Sequence, residues 1–431
     1  MRGIVATVII GKAFIEGRIV DSVTIEINDL GIITKISKGT FKGRSKEETF
    51  NFLKNGLLIL PGAIDIHTHM RDFKESYKED FYSGTSAAAA GGVTIVADMP
   101  NTKPKTNTLP VLEMRDKVAS EKSVVDYALY YGVPNVKREV MGFERKAIGV
   151  KVYPENLFHN CREVFEELMK YVSSKNILTV FHAENPYLFK NDERPLDAEI
   201  SGAVKVLELH KKYRIKAHIT HVTTSYIVEL VKHKGNITID TCPHYLLLNK
   251  EFYLKNKYFR VNPPLRSKVV QENLLKTLSL GKIDAITTDH APHSSDEKFS
   301  EKHKPGFPGL ETALPLLLTL TVKNIIGLKD VVKLYSSNPA RILELHRYVG
   351  KIREDVFANL VVVDLSEEYT VNSKTFFSKA KHSPFNGWKV RGKVKATFVR
   401  GKPVFIDGEI VSKKGYGINV KKYGGVFENV S

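Results

Sequence analysis

The chain of 431 residues is 42% hydrophobic and 26% charged, which excludes a disordered protein and favours one large domain with a smaller one. Two cysteines, Cys161 and Cys242, exclude a disulfide framework and indicate a cytoplasmic protein, and the short apolar N-terminus predicts no membrane span. The net charge of +17 lies on scattered residues without interleaved aromatics, which argues against nucleic-acid binding and leaves attraction of an acidic substrate as a secondary effect.

The first region of the chain consists of short strands. Residues 1 to about 56 alternate apolar and polar side chains between turn signals, and the predicted strands include Ala6–Ile10 and Arg18–Ile27. Such alternation is typical of strands that bury one face. These strands are therefore expected to form a β-structure beside the main body of the chain.

Eight short apolar, β-branched stretches follow, separated by segments of helical character. The predicted strands are Leu57–Ile66, Val93–Met99, Val124–Tyr131, Ala147–Tyr153, Ile177–Ala183, Ile215–Val222, Asn236–Cys242 and Asp284–Asp289. The predicted helices include Ser76–Ala90, Cys161–Lys175, Leu196–Tyr213 and Lys268–Leu278. Continuous apolar runs are typical of buried parallel strands, so the alternation predicts an α/β fold, a (β/α)₈ TIM-like barrel.

The C-terminal region resembles the N-terminal one. From about residue 352 to 431 the predicted strands include Leu360–Val363 and Val394–Arg400, and Asp407-Gly408 is typical of a hairpin turn. Because two similar regions flank the barrel, we expect both chain ends to build one composite β-sandwich. The predicted domains are residues 57–351 for the barrel and residues 1–56 plus 352–431 for the sandwich.

Polar side chains occur where the predicted barrel strands end, and active sites of such barrels lie at those ends. On the first strand His67 and His69 share a face, because alternate residues of a strand point the same way. The other candidates are Lys151 on the fourth strand, His182 on the fifth, His221 on the sixth and Asp289 on the eighth. A His-x-His pair alone is as often two idle surface imidazoles. Four histidines and an aspartate at the same ends of four strands indicate a metal centre.

The candidate ligands divide into two groups. His67 and His69 with Asp289 would bind one metal, and His182 with His221 a second. Imidazoles with a carboxylate suit zinc, although the pattern leaves manganese and other divalent ions open. Two neighbouring cations need an anionic bridge, which a carbamate formed on Lys151 would supply. Spacing alone favours the alternative, a salt-bridged or surface lysine.

Seven segments of the chain carry a family resemblance. They are Asp65-Ile-His-Thr-His-Met-Arg-Asp72, Asp98-Met-Pro-Asn-Thr-Lys-Pro104, Gly149-Val-Lys-Val-Tyr153, His182-Ala-Glu184, Ile219-Thr-His-Val222, Thr288-Asp-His-Ala-Pro-His293 and Pro305-Gly-Phe-Pro-Gly-Leu-Glu-Thr312. In these segments, which span the barrel in order, the chain resembles the dihydroorotases of the amidohydrolase superfamily. The resemblance is to the branch that contains the dihydroorotase domain of animal multifunctional pyrimidine-synthesis proteins.

The resemblance implies a role for each matching residue. His67, His69 and Asp289 would bind one zinc, His182 and His221 the other, and a carbamylated Lys151 would bridge them. Arg71, Asn101 and His293 match the family's contacts to the substrate carboxylate, and Asn262 with the backbone of Pro305 and Gly306 matches its contacts to the ring. His69 is also expected to contact the substrate.

Some of these assignments have alternatives. Asn101 could cap a turn, and His293 could lie behind the substrate contacts. Leu157-Phe158 stands where family members often carry a Thr-Phe pair in a mobile lid, so this chain lacks the hydroxyl of that pair. His218 and His244 are interpreted as structural.

The resemblance implies reversible hydrolysis of (S)-dihydroorotate to N-carbamoyl-L-aspartate, a step of pyrimidine (UMP) synthesis. A hydroxide bridging two zinc ions would attack the ring carbonyl, with Asp289 as general base and then acid. The alternatives are a hydantoinase, dihydropyrimidinase or allantoinase acting on an uncharged ring, and a non-catalytic amidohydrolase-like scaffold. The expected partners are a small anionic substrate, a second copy of the chain in a homodimer and, in a possible complex, aspartate carbamoyltransferase.

Overall fold

Eight parallel strands form the centre of the molecule. The computed structural model describes residues 5–39, 48–54, 56–158, 162–191, 193–232, 234–301 and 303–428. The barrel strands, in chain order, are Ala63–Thr68, Val93–Asp98, Asp126–Gly132, Ala147–Val152, Leu178–Phe181, Ala217–Ile219, Ile237–Thr241 and Ala285–Ile286. Each strand pairs in parallel with the next along the chain. A parallel bridge between Thr68 and His290 brings the eighth strand's end back to the first. The predicted barrel is confirmed.

The helices lie between these strands and after the last one. They are Phe81–Ala90, Leu109–Lys122, Pro154–Phe158, Arg162–Ser174, Leu196–Tyr213, Ser225–Val231, Pro243–Leu247, Lys250–Lys255, Lys268–Ser279, Ser295–Phe299, Leu310–Val322, Leu328–Val332, Asn338–Ile342 and Tyr423–Glu428, with a π-helical turn at Lys333–Ser337. The predicted helix Leu196–Tyr213 has the same bounds in the structure. The helix predicted from Ser76 begins at Phe81, because the Asp80 side chain accepts a hydrogen bond from Ser83 N and caps the helix there.

Strands from both chain ends form one hydrogen-bonded sheet beside the barrel. Its members are Val5–Ile15, Arg18–Asn28, Ile33–Lys38, Glu48–Phe52, Leu57–Pro61, Leu360–Thr370, Lys389–Val399, Lys402–Ile406 and Glu409–Ile410. The composite β-structure expected from the two flanks is thereby confirmed. The Asp407-Gly408 turn joins the last two strands with positive φ at both residues, as a type I′ hairpin requires.

One predicted strand, Leu57–Ile66, is divided in the structure. Leu57–Pro61 pairs with Leu360–Thr370 and with Val5–Ile15 in the chain-end sheet, whereas the first barrel strand begins at Ala63. Gly62 lies between the two, where a Cβ atom would collide with the Thr94 side chain. The sequence does not show where the strand pairing changes from one sheet to the other, because both strands are buried and the apolar run is uninterrupted. The division into domains at residues 57 and 351 stays a prediction.

Apolar packing joins strands of distant sequence. Ile59, Leu360 and Phe398 belong to one buried cluster within the chain-end sheet. Neighbouring barrel strands share another, to which Ile95 and Val180 belong. The strand ends that carry the polar candidates are therefore held on a densely packed base.

Candidate active site

Three of the predicted metal ligands converge at one end of the barrel. The nearest oxygen of Asp289, Oδ1, lies 3.1 Å from His69 Nε2 and 3.4 Å from His67 Nε2. One ligand atom from each of the three residues falls within 4.8 Å of the other two, a spacing that could hold a metal ion. We call these residues, together with Lys151, His182 and His221, the metal-ligand cluster.

Hydrogen bonds orient the rings of His67 and His69. His67 Nδ1 lies 2.5 Å from Thr220 Oγ1, and the Thr220 hydroxyl donates to Asp240 at 2.9 Å. Thr220 therefore accepts from His67 Nδ1, which leaves Nε2 with its lone pair toward Asp289. His69 Nδ1 likewise donates to Asn101 Oδ1 at 2.7 Å. Such a partner on the far nitrogen fixes the tautomer of a metal-binding histidine.

The other two histidines stack close to the first pair. The His182 and His221 ring centroids are 4.4 Å apart, and His221 lies 5.2 Å from His67. His182 Nε2 bonds Glu184 Oε2 at 2.6 Å, which leaves its Nδ1 as a ligand atom. His221 Nδ1 is buried and has no hydrogen-bond partner among the described residues. Burial and the charges of Lys151 and neighbouring histidines lower the pKa of His67 well below its usual value, so the ring is neutral.

Lys151 is fully buried among these groups. Its Nζ has no hydrogen-bond partner in the described part of the chain, and its charge acts on both His67 and His221. Burial lowers the pKa of Lys151 to about 7, although Asp240 and Asp289 act in the opposite direction. A substantial neutral fraction follows at neutral pH. A buried amine without a hydrogen-bond partner fits a site that a bound group would complete. It does not fit the alternative, a lysine in a salt bridge or on the surface.

Asp289 carries its charge next to imidazoles. Burial by itself would raise the pKa of this carboxyl, but the hydrogen bond and charge of His69, with His244 and Lys151, lower it below its usual value. The backbone φ of both Asp289 and His221 is +47°. Left-handed conformations at residues other than glycine are unfavourable and concentrate at functional sites.

Two buried aspartates that the sequence did not single out hold the cluster in place. Asp240 accepts hydrogen bonds from four donors: His218 Nε2 at 2.7 Å, Thr220 Oγ1 at 2.9 Å, His221 N at 2.6 Å and Thr287 Oγ1 at 2.8 Å. His218 is therefore structural, as interpreted. A carboxylate within a strand predicted to be buried, Asn236–Cys242, was the signal that could have revealed Asp240.

The second of these aspartates is Asp65. Its carboxylate accepts from His67 N at 3.1 Å, from Thr288 N at 3.1 Å and from Tyr335 OH at 3.0 Å. Burial raises the pKa of Asp65 to about 7, although the hydrogen bonds from Thr288 and His67 act in the opposite direction. Asp65 thus ties the ligand-bearing end of the first strand to that of the eighth.

Arg71 is buried beside the cluster, where the charges of Glu75 and Asp289 act on it. Its Nε donates to Pro292 O at 3.2 Å and its Nη2 approaches His293 Nε2 at 3.4 Å. Arg71 is buried, with only 8% of its surface exposed. Even so, no carboxylate of the described residues lies within ion-pair distance of its guanidinium. Burial and the Arg71 charge lower the pKa of His293 to about 3, so that ring is neutral. Its Nδ1–H donates to Glu297 Oε2 at 3.0 Å, and Nε2 is left to accept from Arg71.

The remaining predicted substrate contacts differ in their surroundings. We call Arg71, His293, Asn262, Pro305 and Gly306 the substrate wall. Pro305 O lies 3.1 Å from His293 Nε2, and Gly306 N donates to Arg260 O at 2.9 Å. With its amide in the orientation that satisfies both ends, Asn262 donates to Val261 O and accepts from Arg194. The backbone N–H of Gly306 is thus already engaged.

Asn101 and the segment at Leu157-Phe158 complete the set. Asn101 is exposed and bonds His69, so in this structure it orients a candidate ligand. Leu157 is buried in the helix Pro154–Phe158, and Phe158 packs edge-on against Tyr187 with the ring centroids 6.5 Å apart.

Residues 159–161, including Cys161, lie outside the described residues. Cys242 is a buried free thiol.

Comparison with known proteins gives the family. The model of the amidohydrolase family matches residues 58–404. The chain belongs to the amidohydrolase family.

Relatives of this amidohydrolase include dihydroorotases. The dihydroorotase of Pyrococcus furiosus is 35% identical over 408 residues, which cover 94% of this chain and 93% of the relative. The multifunctional protein CAD of Squalus acanthias is 34% identical over 382 residues, or 85% of this chain and 16% of that protein. The resemblance noted in the sequence and the expectation of a hydrolytic enzyme are confirmed.

Solved structures extend the comparison to the fold. The L-hydantoinase (dihydropyrimidinase) of Arthrobacter aurescens superposes with a TM-score of 0.88 at 25% identity, covering 96% of this chain and 99% of that protein. The shared fold therefore leaves the choice between related substrates to the side chains of the site.

In this amidohydrolase none of the helices among the described residues has the length and apolar character to cross a membrane.

Proposed function

We propose that this amidohydrolase is a dihydroorotase, which reversibly hydrolyses the cyclic amide of (S)-dihydroorotate to N-carbamoyl-L-aspartate. The single observation that carries the choice of substrate is the buried guanidinium of Arg71, which has no carboxylate partner among the described residues. An unpaired buried charge is costly, so a site that holds one is suited to a ligand of opposite charge. The planar fork of arginine matches a carboxylate. Relatives named dihydroorotase support the same substrate.

The proposed cofactor is a pair of zinc ions bridged by carbamylated Lys151. The donors of the metal-ligand cluster fit this pair: His67, His69 and Asp289 supply one set of ligand atoms, and His182 with His221 the other. The partnerless Nζ of Lys151 supports the carbamate, since a neutral amine is the form that combines with carbon dioxide. When bound, such metals supply an activated water and polarise the ring carbonyl.

The side chains of the site would then have separate roles in substrate binding and proton transfer. Arg71 holds the substrate carboxylate, which presents the ring to the metal-ligand cluster, and His293 orients the guanidinium by accepting from Arg71 at Nε2. An Asp289 oxygen takes the proton of the attacking water, for which its lowered pKa keeps it ionised at neutral pH. The same oxygen returns the proton to the departing ring nitrogen, as general base and then general acid. Asn101 accepts from His69 Nδ1 and orients the ring, so that His69 Nε2 and the Asp289 oxygen, 3.1 Å apart, face the same proposed metal position.

A hydantoinase is the second candidate, because the chain superposes closely on an L-hydantoinase. Such an enzyme acts on an uncharged ring and gives no use to the Arg71 charge. Purified enzyme offered dihydroorotate, hydantoin, dihydrouracil and allantoin, with bound metal measured in the same sample, separates the two. Turnover of dihydroorotate well above the others is expected; hydrolysis of hydantoin without dihydroorotate would contradict the proposal.

Further proposals concern assembly and location. The family resemblance of the sequence implies a place in pyrimidine synthesis and, with it, a complex with aspartate carbamoyltransferase, and one relative is itself a multifunctional protein. A homodimer and a cytoplasmic location stay predictions from the sequence. Size-exclusion chromatography with light scattering, with and without aspartate carbamoyltransferase, measures both associations.

A further inference from the structure

Lys298 is a fully buried lysine with an unusual set of partners. Its Nζ donates to three backbone carbonyls: Arg260 O at 3.3 Å, Lys304 O at 3.0 Å and Gly306 O at 2.5 Å. No carboxylate of the described residues pairs with it. Burial lowers the pKa of Lys298 to about 7. In its charged form the side chain has three N–H donors, and the three carbonyls satisfy all of them.

The three carbonyls come from two separate loops of the substrate wall. Arg260 stands two residues before Asn262, while Lys304 and Gly306 flank Pro305. The loops also meet directly, because Gly306 N donates to Arg260 O at 2.9 Å. Lys298 thus joins the loops at the point where they come together, behind the residues expected to contact the substrate ring.

The residue before Lys298 holds another part of the wall. Glu297 Oε2 accepts from His293 Nδ1 at 3.0 Å, and Glu297 Oε1 accepts from Lys78 Nζ at 3.0 Å and from Tyr77 OH at 2.9 Å. Lys78 and Tyr77 belong to the loop that follows Arg71. Glu297 therefore joins His293 to the loop that follows Arg71.

We propose that the five-residue helix Ser295–Phe299 is the positioning element of the substrate wall, in which Lys298 fixes the ring-binding loops and Glu297 fixes the carboxylate-binding pair. This inference rests on the proposed function for the identity of the substrate. In the described part of the chain no hydrogen bond or ion pair joins Lys298 or Glu297 to the metal-ligand cluster, so we expect them to act through the wall. Both are positioning residues for substrate affinity.

Lys298→Met in the zinc-loaded enzyme tests the proposal. Methionine keeps the apolar stem but removes the three donors, so the two loops lose their common anchor. Misplacement of binding groups by about 1 Å costs up to a hundredfold, and we expect KM to rise about tenfold while kcat stays within about threefold. Amide hydrogen exchange should become faster in residues 259–264 and 303–307, with bound metal unchanged.

The matched control is Lys216→Met. Lys216 is a partly buried lysine that donates to the backbone carbonyl of Ile342 at 3.0 Å and to Glu344 at 2.8 Å. Ile342 is the last residue of the helix Asn338–Ile342, and both partners lie outside the substrate wall. This variant should lose some stability without a change in KM. An equal rise in KM in both variants would mean that general loosening is the cause, and it would overturn the proposal.

Other outcomes also decide the matter. An unchanged KM in Lys298→Met, or a loss confined to kcat, contradicts the positioning role. Should Lys298→Met fail to fold, Glu297→Gln leaves the three-carbonyl site intact and is expected to raise KM severalfold through His293; an unchanged KM there contradicts the proposal. If the wild-type enzyme does not hydrolyse dihydroorotate, the proposed function fails, while the exchange measurement still decides whether Lys298 holds the loops.

Discussion

The metal-ligand cluster and the substrate wall lie side by side at one end of the barrel but are held by different means. His67, His221 and Asp289 stand at strand ends, and buried side chains such as Asp240 orient them from within the barrel. The wall is built from loops that a short helix holds through Glu297 and Lys298. Changes in the cluster should therefore act on metal content and kcat, and changes in the wall on KM and on the choice of substrate.

The largest effect is expected at the centre of the cluster. Lys151→Ala should abolish activity, because it removes the only amine in the described part of the chain that lies among these histidines. Acetate or propionate should restore part of the activity and of the bound metal, by supplying the missing carboxylate group. Lys282→Ala, at a surface ion pair with Glu229, is the control. A Lys151→Ala enzyme with full activity and full metal content would remove the carbamate from the proposal.

Asp289→Asn comes next. The amide keeps the shape of the side chain but cannot take up a proton, so kcat should fall by about 10² to 10⁴, the range of general acid–base catalysis. Bound metal is measured in parallel, since the same residue is a proposed ligand. A variant with intact metal and wild-type kcat would assign proton transfer to another group.

A smaller effect is expected for the support of the cluster. Asn101→Ala leaves the His69 Nδ1–H without its acceptor, and loss of such a partner typically costs about 10-fold to 100-fold in metal affinity or activity. Metal affinity measured by competition with a chelator checks this. Because Asn101 is also a predicted substrate contact, an effect on KM without an effect on metal affinity would assign it to the wall.

Asp240→Asn tests the support through stability. The amide offers one oxygen to a site where four donors converge, so a buried donor is left unsatisfied and the free energy of unfolding should fall by about 1 to 3 kcal/mol. Denaturant unfolding measures the loss, and Asp407→Asn in an exposed turn is the control. Equal stability of the two variants would show that Asp240 does not organise the strand ends.

The sequence allowed the barrel and the cluster to be predicted for the same reason. Strand alternation places His67 and His69 on one face, and the common direction of parallel strands brings the ends of distant strands together. Asp240 was missed because its partners lie on neighbouring strands, which strand spacing alone does not reveal. Lys298 was missed for another reason: in Ser-Asp-Glu-Lys it resembles a solvated surface residue, and only the folded loops supply its three carbonyl partners.

The central claim is that the Arg71 charge selects an acidic substrate, and dihydrouracil, which is dihydroorotate without the carboxylate, tests it most directly. The ratio of kcat/KM for the two substrates is measured in the wild-type enzyme, in Arg71→Gln and in Arg138→Gln, an exposed control with the same change of charge. We expect a high ratio that Arg71→Gln lowers about a hundredfold, since breaking a buried charge pair costs about 2 to 5 kcal/mol, while Arg138→Gln leaves it unchanged. A wild-type enzyme that hydrolyses both equally, or an Arg71→Gln variant that loses both activities in proportion, would contradict the claim.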